Sequence, residues 1–215
     1  VSKALGIPLA KAASRVMTGT SIAELKDEGM LPLIDGSRVP LDSPVSVKEA
    51  VLPFKRFRTK DGQTVDSVLG PEMRSTGEVM GIDRDFPTAF AKSQEAAYGG
   101  LPLSGTVFIS VADSDKRAVI LPAHRLQQLG FTLVATEGTA EILARNGIAV
   151  TLVNKYSATQ ESGERNIVDL INAGEIDIIV NTPSGRSARA DGYEIRAAAV
   201  AADKALVTAI AVLGA

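Results

Sequence analysis

Cysteine and tryptophan are absent from the 215 residues, histidine occurs once, and aromatic residues make up 4% of the chain. Without cysteine the chain can form neither disulfide bonds nor thiolate metal sites, which argues against bound zinc and favours the cytoplasm. No apolar run approaches the roughly 20 residues that cross a bilayer. The formal net charge of -2 lacks the basic excess of a nucleic-acid binder. We therefore expect no metal site, no membrane partner and no nucleic-acid partner.

The first half of the sequence predicts an irregular series of short elements. Its apolar spacing and turn residues indicate two short helices at 7–19 and 21–29, a strand at 45–54 and a third helix at 86–99. A turn is predicted at Asp61-Gly62. Ser21 stands where the second helix would begin and is expected to cap it.

The pattern of predicted elements changes after residues 99–105. This run, GGLPLSG, is rich in glycine, proline and serine and predicts a domain boundary. Beyond it, the apolar runs TVFISV, FTLVAT, IAVTLV and EIDIIVNT alternate with helical patterns. Such alternation predicts an α/β fold, in which right-handed crossovers join a parallel sheet with helices on both faces. We expect one domain at 1–98 and this α/β domain at 104–215.

The first helix of the second half is predicted to run over residues 113–130. Pro122 lies inside it, at a position where a proline can kink a helix. Asp113 and Asp115 are expected to cap its start, where a negative charge complements the helix dipole. His124, the single histidine, falls within this helix, and a packing or surface role is expected for it instead of general-base catalysis.

Polar residues suited to an anion follow each predicted strand of the second half. Ligands of open parallel sheets bind beyond the carboxyl ends of the strands, where helix N-termini expose N–H groups. Hydroxyls, amides, lysines and glycines predominate in this set, which is Ser110, Asp113, Ser114, Lys116, Thr136, Gly138, Thr139, Asn154, Lys155, Asn181, Thr182, Ser184 and Gly185. Such donors and countercharges are typical of a phosphate site. Neither a histidine nor a well-placed carboxylate pair follows the strands, so no residue is assigned a catalytic role.

Two stretches keep more than one interpretation. TEGT at 136–139 fits one wall of a phosphate site, but also an ordinary helix N-cap. The basic run FKRFRTK at 54–60 has the composition of a nucleic-acid surface, although the acidic balance of the chain favours a solvated strand or loop.

Longer motifs resemble a known family. GPEMRSTGEVMGID at 70–83 and VKEAVLPFKRF at 47–57 resemble the end of the second ATP-grasp synthetase unit of carbamoyl phosphate synthase large chains. SKALGIPLAKAASRVMTG at 2–19 is similar to the segment that follows the Asn-Pro-Arg motif there. ISVADSDK, GFTLVATEGTAEIL, LVNK and NTPSGR resemble the methylglyoxal-synthase-like regulatory domain that closes these chains. Residues 1–98 would then be the α+β tail of the ATP-grasp domain and 104–215 the allosteric domain.

The resemblance implies a regulatory fragment of an enzyme that makes carbamoyl phosphate from bicarbonate, glutamine-derived ammonia and ATP, for pyrimidine and arginine synthesis. The ATP-binding body, with its Mg²⁺ or Mn²⁺ ligands, would lie upstream of Val1. The fragment itself is therefore expected to hold no cofactor and to be catalytically silent. Its expected partners are the rest of the large chain and the glutaminase small chain, in an oligomer.

The resemblance also implies small-molecule effectors. In bacterial members the terminal domain binds UMP, which inhibits, and IMP, which activates. By similarity, the effector pocket would be lined by Lys116, Thr136, Thr139, Lys155, Asn181 and Thr182, with Ser110, Ser184 and Gly185 nearby. Pro183 stands where members often carry a second threonine, which leaves the preferred nucleotide open. Some members bind ornithine, and Glu49 and Thr208 match positions associated with that pocket.

Two other functions remain open. A free-standing methylglyoxal synthase is a lyase of the same fold that acts on dihydroxyacetone phosphate. A nucleic-acid module that used the basic run at 54–60 would bind oligonucleotides in a salt-dependent manner.

Overall fold

A computed structural model describes residues 1–34, 40–57, 65–157, 164–182 and 188–215. The chain divides into two compact units, which are Val1–Glu49 with Val79–Ala97 and Ala50–Glu78 with Tyr98–Ala215. The predicted turn at Asp61-Gly62 and the predicted site residues Ser184 and Gly185 lie outside the described residues, as does Pro183.

Before residue 99 the structure contains the three predicted helices and the predicted strand, and it adds a first short helix and a second strand that were not predicted. The helices are α1 (Ser2–Leu5), α2 (Leu9–Met17), α3 (Ile22–Asp27) and α4 (Phe86–Tyr98), and the strands are β1 (Val45–Val51) and β2 (Gly77–Asp83), which pair with each other. Ser21 caps α3 as expected. The Glu24 N–H donates to the Ser21 hydroxyl over 3.2 Å, and the Ser21 N–H donates to the Glu24 carboxylate over 2.8 Å. This reciprocal capping box satisfies two N–H groups that the helix leaves without partners.

Gly81 lets β2 lie directly against α4. A Cβ added at Gly81 would stand 1.9 Å from the Ala89 carbonyl oxygen and 2.8 Å from the Ser93 nitrogen. Because both of these atoms belong to the backbone, no side-chain rotation could make room. The close approach of strand and helix therefore depends on glycine at this position.

Five described strands of the second half form a parallel sheet, which confirms the predicted α/β fold class. They are β3 (Thr106–Ser110), β4 (Thr132–Ala135), β5 (Thr151–Leu152), β6 (Ile178–Asn181) and β7 (Ala205–Val207), in the spatial order β5-β4-β3-β6-β7. Phe108 lies opposite Val134 on one side and Ile179 on the other. The strand order reverses between β3 and β6, which is the place where open sheets of this type bind ligands.

Helices cover both faces of this sheet. They are α5 (Ile120–Gln128), α6 (Glu137–Arg145), α7 (Ile167–Asn172), α8 (Ala188–Ala201) and α9 (Ile210–Gly214). Alternate strand residues point to opposite faces. Val107 and Ile109 pack into one buried layer with residues of α5 and α6, whereas Phe108 packs into a second layer with residues of α7 and α8. Two buried layers on one sheet are the basis of the fold.

The predicted helix over 113–130 is shorter than expected. Residues Asp113–Asp115 form a single 3-10 turn, and α5 begins only at Ile120. Pro122 is the third helical residue, where an N–H would have no partner inside the helix, so α5 contains it without losing a hydrogen bond. The prediction that Asp113 and Asp115 cap this helix is wrong, since the N-cap position is Val119 and no side chain caps it.

The turns at the other edge of the sheet depend on glycine. Gly130, Gly147 and Gly174 precede β4, β5 and β6, with φ angles of 90°, 75° and 77°. Residues other than glycine rarely adopt this left-handed backbone conformation. Each glycine therefore ends its helix and returns the chain towards the next strand. None of the helices in the described ranges is both long and apolar enough to span a bilayer.

Candidate functional site

A cleft of about 340 Å³ opens beyond the carboxyl ends of β3, β4 and β6. Every predicted effector-site residue that the structure describes lines it: Ser110, Lys116, Thr136, Gly138, Thr139, Lys155, Asn181 and Thr182. The sheet brings these positions together because parallel strands end at a common edge. Asn154, which belongs to the wider strand-end set, is not among the lining residues; its amide donates to the Glu164 carboxylate over 3.0 Å.

Two buried threonines hold the backbone that follows β3. The Val111 N–H donates to the Thr139 hydroxyl oxygen over 3.3 Å, and the Ala112 N–H donates to the Thr182 hydroxyl oxygen over 2.8 Å. A hydroxyl has one hydrogen to donate besides the lone pairs that accept. Because both hydroxyls accept from the backbone, each keeps its hydrogen for another acceptor.

Thr136 makes a contact between two strand ends. Its backbone has the extended conformation of a helix N-cap, with φ -71° and ψ 155°, but its side chain makes no capping bond. Instead, the Thr136 hydroxyl donates to the Ser110 hydroxyl oxygen over 3.0 Å. Thr136 therefore occupies the N-cap position of α6, as one interpretation of TEGT predicted, but its side chain does not cap the helix. The first N–H groups of α6 have no partner inside the helix, and this helix end meets the cleft at Gly138.

Two lysines supply positive charge. The Lys116 ammonium lies 2.7 Å from the Asp113 carboxylate, and Lys155 follows β5 on the exposed side of the cleft. The hydrogen bond from Lys116 holds the pKa of Asp113 below its ordinary value, and the charges of Lys116 and Lys155 lower it further. Asp113 is thus ionised at neutral pH and competes with any anion for Lys116.

Two carboxylates line the cleft without having been assigned to it from the sequence. Asp113 was expected at a helix start, and Asp191 lies in α8, beyond the strand-end residues that were considered. The Asp191 carboxylate accepts from the Ser157 N–H over 3.0 Å and from the Ser157 hydroxyl over 2.8 Å. Asp191 could have been assigned to the cleft from the sequence, because it is an acidic residue in the first turn of the helix that follows β6.

A buried arginine stands behind the cleft. The Arg196 side chain is 1% exposed. It donates from Nη1 to the Asn181 side-chain oxygen over 2.7 Å, and from Nε and Nη2 to the Asp66 carboxylate over 2.8 and 2.6 Å. Sequence reasoning missed this group, although an arginine within the apolar helical run IRAAAVA was a usable sign of a buried charge.

The residues predicted to bind ornithine lie in different units. Glu49 is half-buried on β1 in the first unit, and its carboxylate accepts from the Gln94 amide over 3.0 Å. Thr208 follows β7 in the second unit. Ornithine binding stays a prediction. Within the described residues, no group of three or more histidine or acidic side chains is arranged to hold a metal ion.

Comparisons with known proteins agree on a family. Residues 118–208 match the family model described as MGS-like domain. The chain is 77% identical over 214 residues to the carbamoyl phosphate synthase large chain of Clavibacter michiganensis subsp. michiganensis (strain NCPPB 382), across 99% of this chain and 20% of that protein. It is 68% identical over 217 residues to the large chain of Kineococcus radiotolerans (strain ATCC BAA-149 / DSM 14245 / SRS30216), across 100% of this chain and 20% of that protein.

A solved structure of methylglyoxal synthase from Elizabethkingia anophelis NUHP1 also matches, with 17% identity and a TM-score of 0.42, over 53% of this chain and 77% of that one. The chain thus spans 20% of the length of the curated relatives named above.

Proposed function

Because this chain belongs to the family of carbamoyl phosphate synthase large chains and corresponds to their C-terminal part, we propose that it is a regulatory region whose cleft binds a nucleoside monophosphate. UMP and IMP are the proposed ligands. The ligand acts as a signal and is not transformed. The synthase to which the region belongs would make carbamoyl phosphate from bicarbonate, glutamine-derived ammonia and ATP in the cytoplasm, and would feed pyrimidine and arginine synthesis.

The observation that carries the proposal is the direction of the hydroxyl hydrogen bonds. The oxygens of Thr139 and Thr182 accept from backbone N–H groups, and that of Ser110 accepts from Thr136. Thr139 and Thr182 each keep one hydrogen to donate, and so does one hydroxyl of the Thr136–Ser110 pair, because only one of those two donates in their bond. An anion can accept hydrogen bonds from such donors. The ammonium groups of Lys116 and Lys155 add the countercharge that a phosphate requires.

The start of α6 strengthens the same preference. A helix N-terminus carries a partial positive charge and N–H groups that point outwards, which makes it a natural seat for phosphate. Gly138, in the first turn, lines the cleft. Because glycine has no side chain, a phosphate can approach this backbone closely.

The size of the cleft and its remaining walls suit a nucleoside attached to the phosphate. Its volume of about 340 Å³ lies at the small end of the usual range for ligand pockets, about 300–1,000 Å³. Ile195 adds an apolar surface and Asp191 a carboxylate that can accept from hydroxyl groups. The volume of the cleft exceeds that needed for inorganic phosphate alone. The side chains of Ile195 and Asp191 offer surfaces that a sugar or base could contact.

Regulation then follows from differential binding. An effector that binds one arrangement of the large chain better than another shifts the equilibrium between them, with a coupling of ~1–3 kcal/mol in typical allosteric proteins. In this proposal the rest of the large chain carries ATP with Mg²⁺ or Mn²⁺ and contacts the glutaminase small chain, and the complete enzyme is an oligomer.

Ornithine is a second proposed effector. Glu49 and Thr208 would contribute to its binding, with a carboxylate for the amine and a hydroxyl for the polar end.

Isothermal titration calorimetry of the 215-residue chain with UMP, IMP and inorganic phosphate tests the proposal. We expect a nucleoside monophosphate to bind more tightly than phosphate. Lys155→Ala should lower the affinity about tenfold, because a charge-assisted hydrogen bond contributes about 1.5 kcal/mol. Lys204→Ala is the matched control, since Lys204 faces Asp177 over 3.4 Å at the opposite edge of the sheet, and it should leave the affinity unchanged.

Absence of heat with all three ligands at millimolar concentration would overturn the proposal. Equal affinity of the unsubstituted chain and Lys155→Ala would show that any binding occurs elsewhere. Release of methylglyoxal from dihydroxyacetone phosphate would instead identify a lyase, and salt-dependent binding of oligonucleotides would identify a nucleic-acid module.

A further inference from the structure

We propose that Arg196, held by Asp66, is a positioning residue. It fixes the orientation of the Asn181 side-chain amide so that the NH₂ group can donate a hydrogen bond to a ligand in the cleft. This role rests on the proposed function, because it concerns a donor to the same ligand. Arg196 itself does not line the cleft, whereas Asn181 does. The residue therefore acts through its neighbour and not by touching the ligand.

The chemistry of the two side chains decides the orientation of the amide. Arginine has only donors, so the atom that faces it must be the Asn181 carbonyl oxygen, which lies 2.7 Å from Arg196 Nη1. The Asn181 NH₂ group then points the other way, with Nδ2 3.5 Å from the Ser110 carbonyl oxygen. One of its two hydrogens remains for a ligand. Rotated by half a turn, the amide would present an oxygen to a phosphate and repel it.

Asp66 keeps Arg196 in place. The carboxylate accepts two parallel bonds, from Nε over 2.8 Å and from Nη2 over 2.6 Å. Such a bidentate pair fixes the plane of the guanidinium group as well as its position. With both oxygens of Asp66 occupied by Nε and Nη2, the Nη1 group is directed at Asn181.

Gly192 provides the space for this arrangement. It precedes Arg196 by one turn of α8 and is buried. A Cβ added there would lie 2.6 Å from Arg196 Nη1 and 3.2 Å from the Asn181 side-chain oxygen. The hydrogen bond between Arg196 and Asn181 thus occupies the volume that any larger residue would fill. Residues from three segments, namely the segment before the sheet, β6 and α8, thus meet at one hydrogen bond.

The arrangement links the cleft to residue 66 thermodynamically. If Asp66 favours the Asn181 orientation that binds the ligand, then the ligand must favour the Asp66 contact by the same free energy. A change that withdraws Asp66 from Arg196 would therefore weaken ligand binding without altering any residue of the cleft.

A double-mutant cycle read by calorimetry tests the role. With UMP or IMP as ligand, whichever binds the unsubstituted chain more tightly, we expect Arg196→Lys to lower affinity about tenfold and Asn181→Ala to lower it by a similar factor. In the Asn181→Ala background, Arg196→Lys should change affinity by less than about twofold, because the group through which it acts is gone. Arg165→Lys, which alters an exposed arginine paired with Glu175, is the matched control and should not change affinity.

A spectroscopic reading covers the case in which Arg196→Lys does not fold. The Asn181 side-chain NH₂ signals, identified in a ¹⁵N–¹H correlation spectrum by their loss in Asn181→Ala, should shift in Gly192→Ala and in Asp66→Asn, together with reduced affinity. Additive losses in the cycle, or NH₂ signals unchanged in both variants despite weaker binding, would overturn the positioning role alone. If the unsubstituted chain binds none of the phosphate ligands, the proposed function fails and the positioning role with it.

Discussion

The ammonium group of Lys116 lies directly against Gly138, since a Cβ added to this glycine would stand 2.9 Å from Lys116 Nζ. The lysine comes from the segment after β3 and the glycine from the first turn of α6. Their approach places a full positive charge beside the positive end of a helix. Mutual repulsion makes this arrangement unfavourable without an anion, and the carboxylate of Asp113 at 2.7 Å supplies one.

Gly138→Ala should lower the affinity for the ligand without lowering the stability of the fold. The added methyl group meets only the flexible end of Lys116, so the lysine can move away at little cost to the fold. Alanine also has a higher helix propensity than glycine, by up to about 1 kcal/mol within a helix. We expect an unchanged or slightly raised melting temperature by scanning calorimetry and a UMP or IMP affinity lowered about tenfold, the worth of one displaced ammonium group. Loss of both quantities together would contradict this expectation.

Asp113→Asn should strengthen ligand binding. In the proposed site the Asp113 carboxylate would compete with the ligand for Lys116, and its exposed side chain contributes little to the fold. Removing its charge should raise phosphate affinity a few-fold, with a larger gain at low salt than at high salt. Titration calorimetry at two salt concentrations measures the change. Asp115→Asn, two positions further along and outside the cleft, is the control that separates a local effect from a change in net charge, and it should give a smaller gain.

Asp66→Asn should destabilise the fold by about 2–3 kcal/mol, because it leaves the buried Arg196 guanidinium without its counter-ion. Urea unfolding measures the free energy. Glu175→Gln is the matched control: it removes the partner of Arg165 in a pair whose side chains are 57% and 50% exposed, and should cost less than about 1 kcal/mol. Equal losses for the two variants would mean that Asp66 contributes no more than a surface pair.

The same ion pair predicts a pH dependence. Burial raises the pKa of Asp66, but its hydrogen bonds from Arg196 and from the Val68 and Ser67 N–H groups outweigh burial and hold it below its ordinary value of 3.8. A lowered carboxylate pKa adds stability that is complete well above 3.8 and is lost as the pH falls through the lower value of the folded state. The difference in unfolding free energy between the unsubstituted chain and Asp66→Asn should therefore be constant near neutral pH and shrink below about pH 4. A difference that grows on acidification would contradict the lowered pKa.

Gly81→Ala should disrupt the contact between β2 and α4. The new Cβ would meet the Ala89 carbonyl oxygen at 1.9 Å, so the backbone must shift, at a cost of about 1–3 kcal/mol. Gly77→Ala is the matched control in the same strand, since a Cβ there has no atom within 4 Å. Hydrogen exchange of the α4 amides should be faster in Gly81→Ala and unchanged in Gly77→Ala. Equal exchange in the two variants would show that the strand and helix can separate freely.

Local pattern was sufficient to predict most of the fold. The alternation of apolar runs and helical spacing beyond residue 105 predicted the parallel sheet, and the family resemblance read from the motifs is confirmed. The start of α5 was missed because the run 113–119 has helical composition, while a proline fits only the first turn, which moves the beginning of the helix to Ile120. The predicted strand IAVTLV pairs only over Thr151–Leu152, at one edge of the sheet.

The site was predictable only for residues that stand at or next to the carboxyl end of a strand. Thr136 directly follows β4 and Asn181 ends β6, and a parallel sheet necessarily gathers such positions at one edge. Asp66 and Arg196 are separated by 130 positions, and no local pattern specifies which buried arginine meets which distant carboxylate. That pairing depends on the packing of α8, which periodicity alone does not determine.

The glycine turns before β4, β5 and β6 also make the chain suitable as the basis of a sensor. The turns at Gly130, Gly147 and Gly174 lie at the edge of the sheet away from the cleft. Exposed turns tolerate inserted domains better than other positions do. A fluorescent protein inserted beside Gly147 would be attached to α6 at the end opposite to Gly138, so that a shift of this helix on ligand binding could be read as a change in light emission.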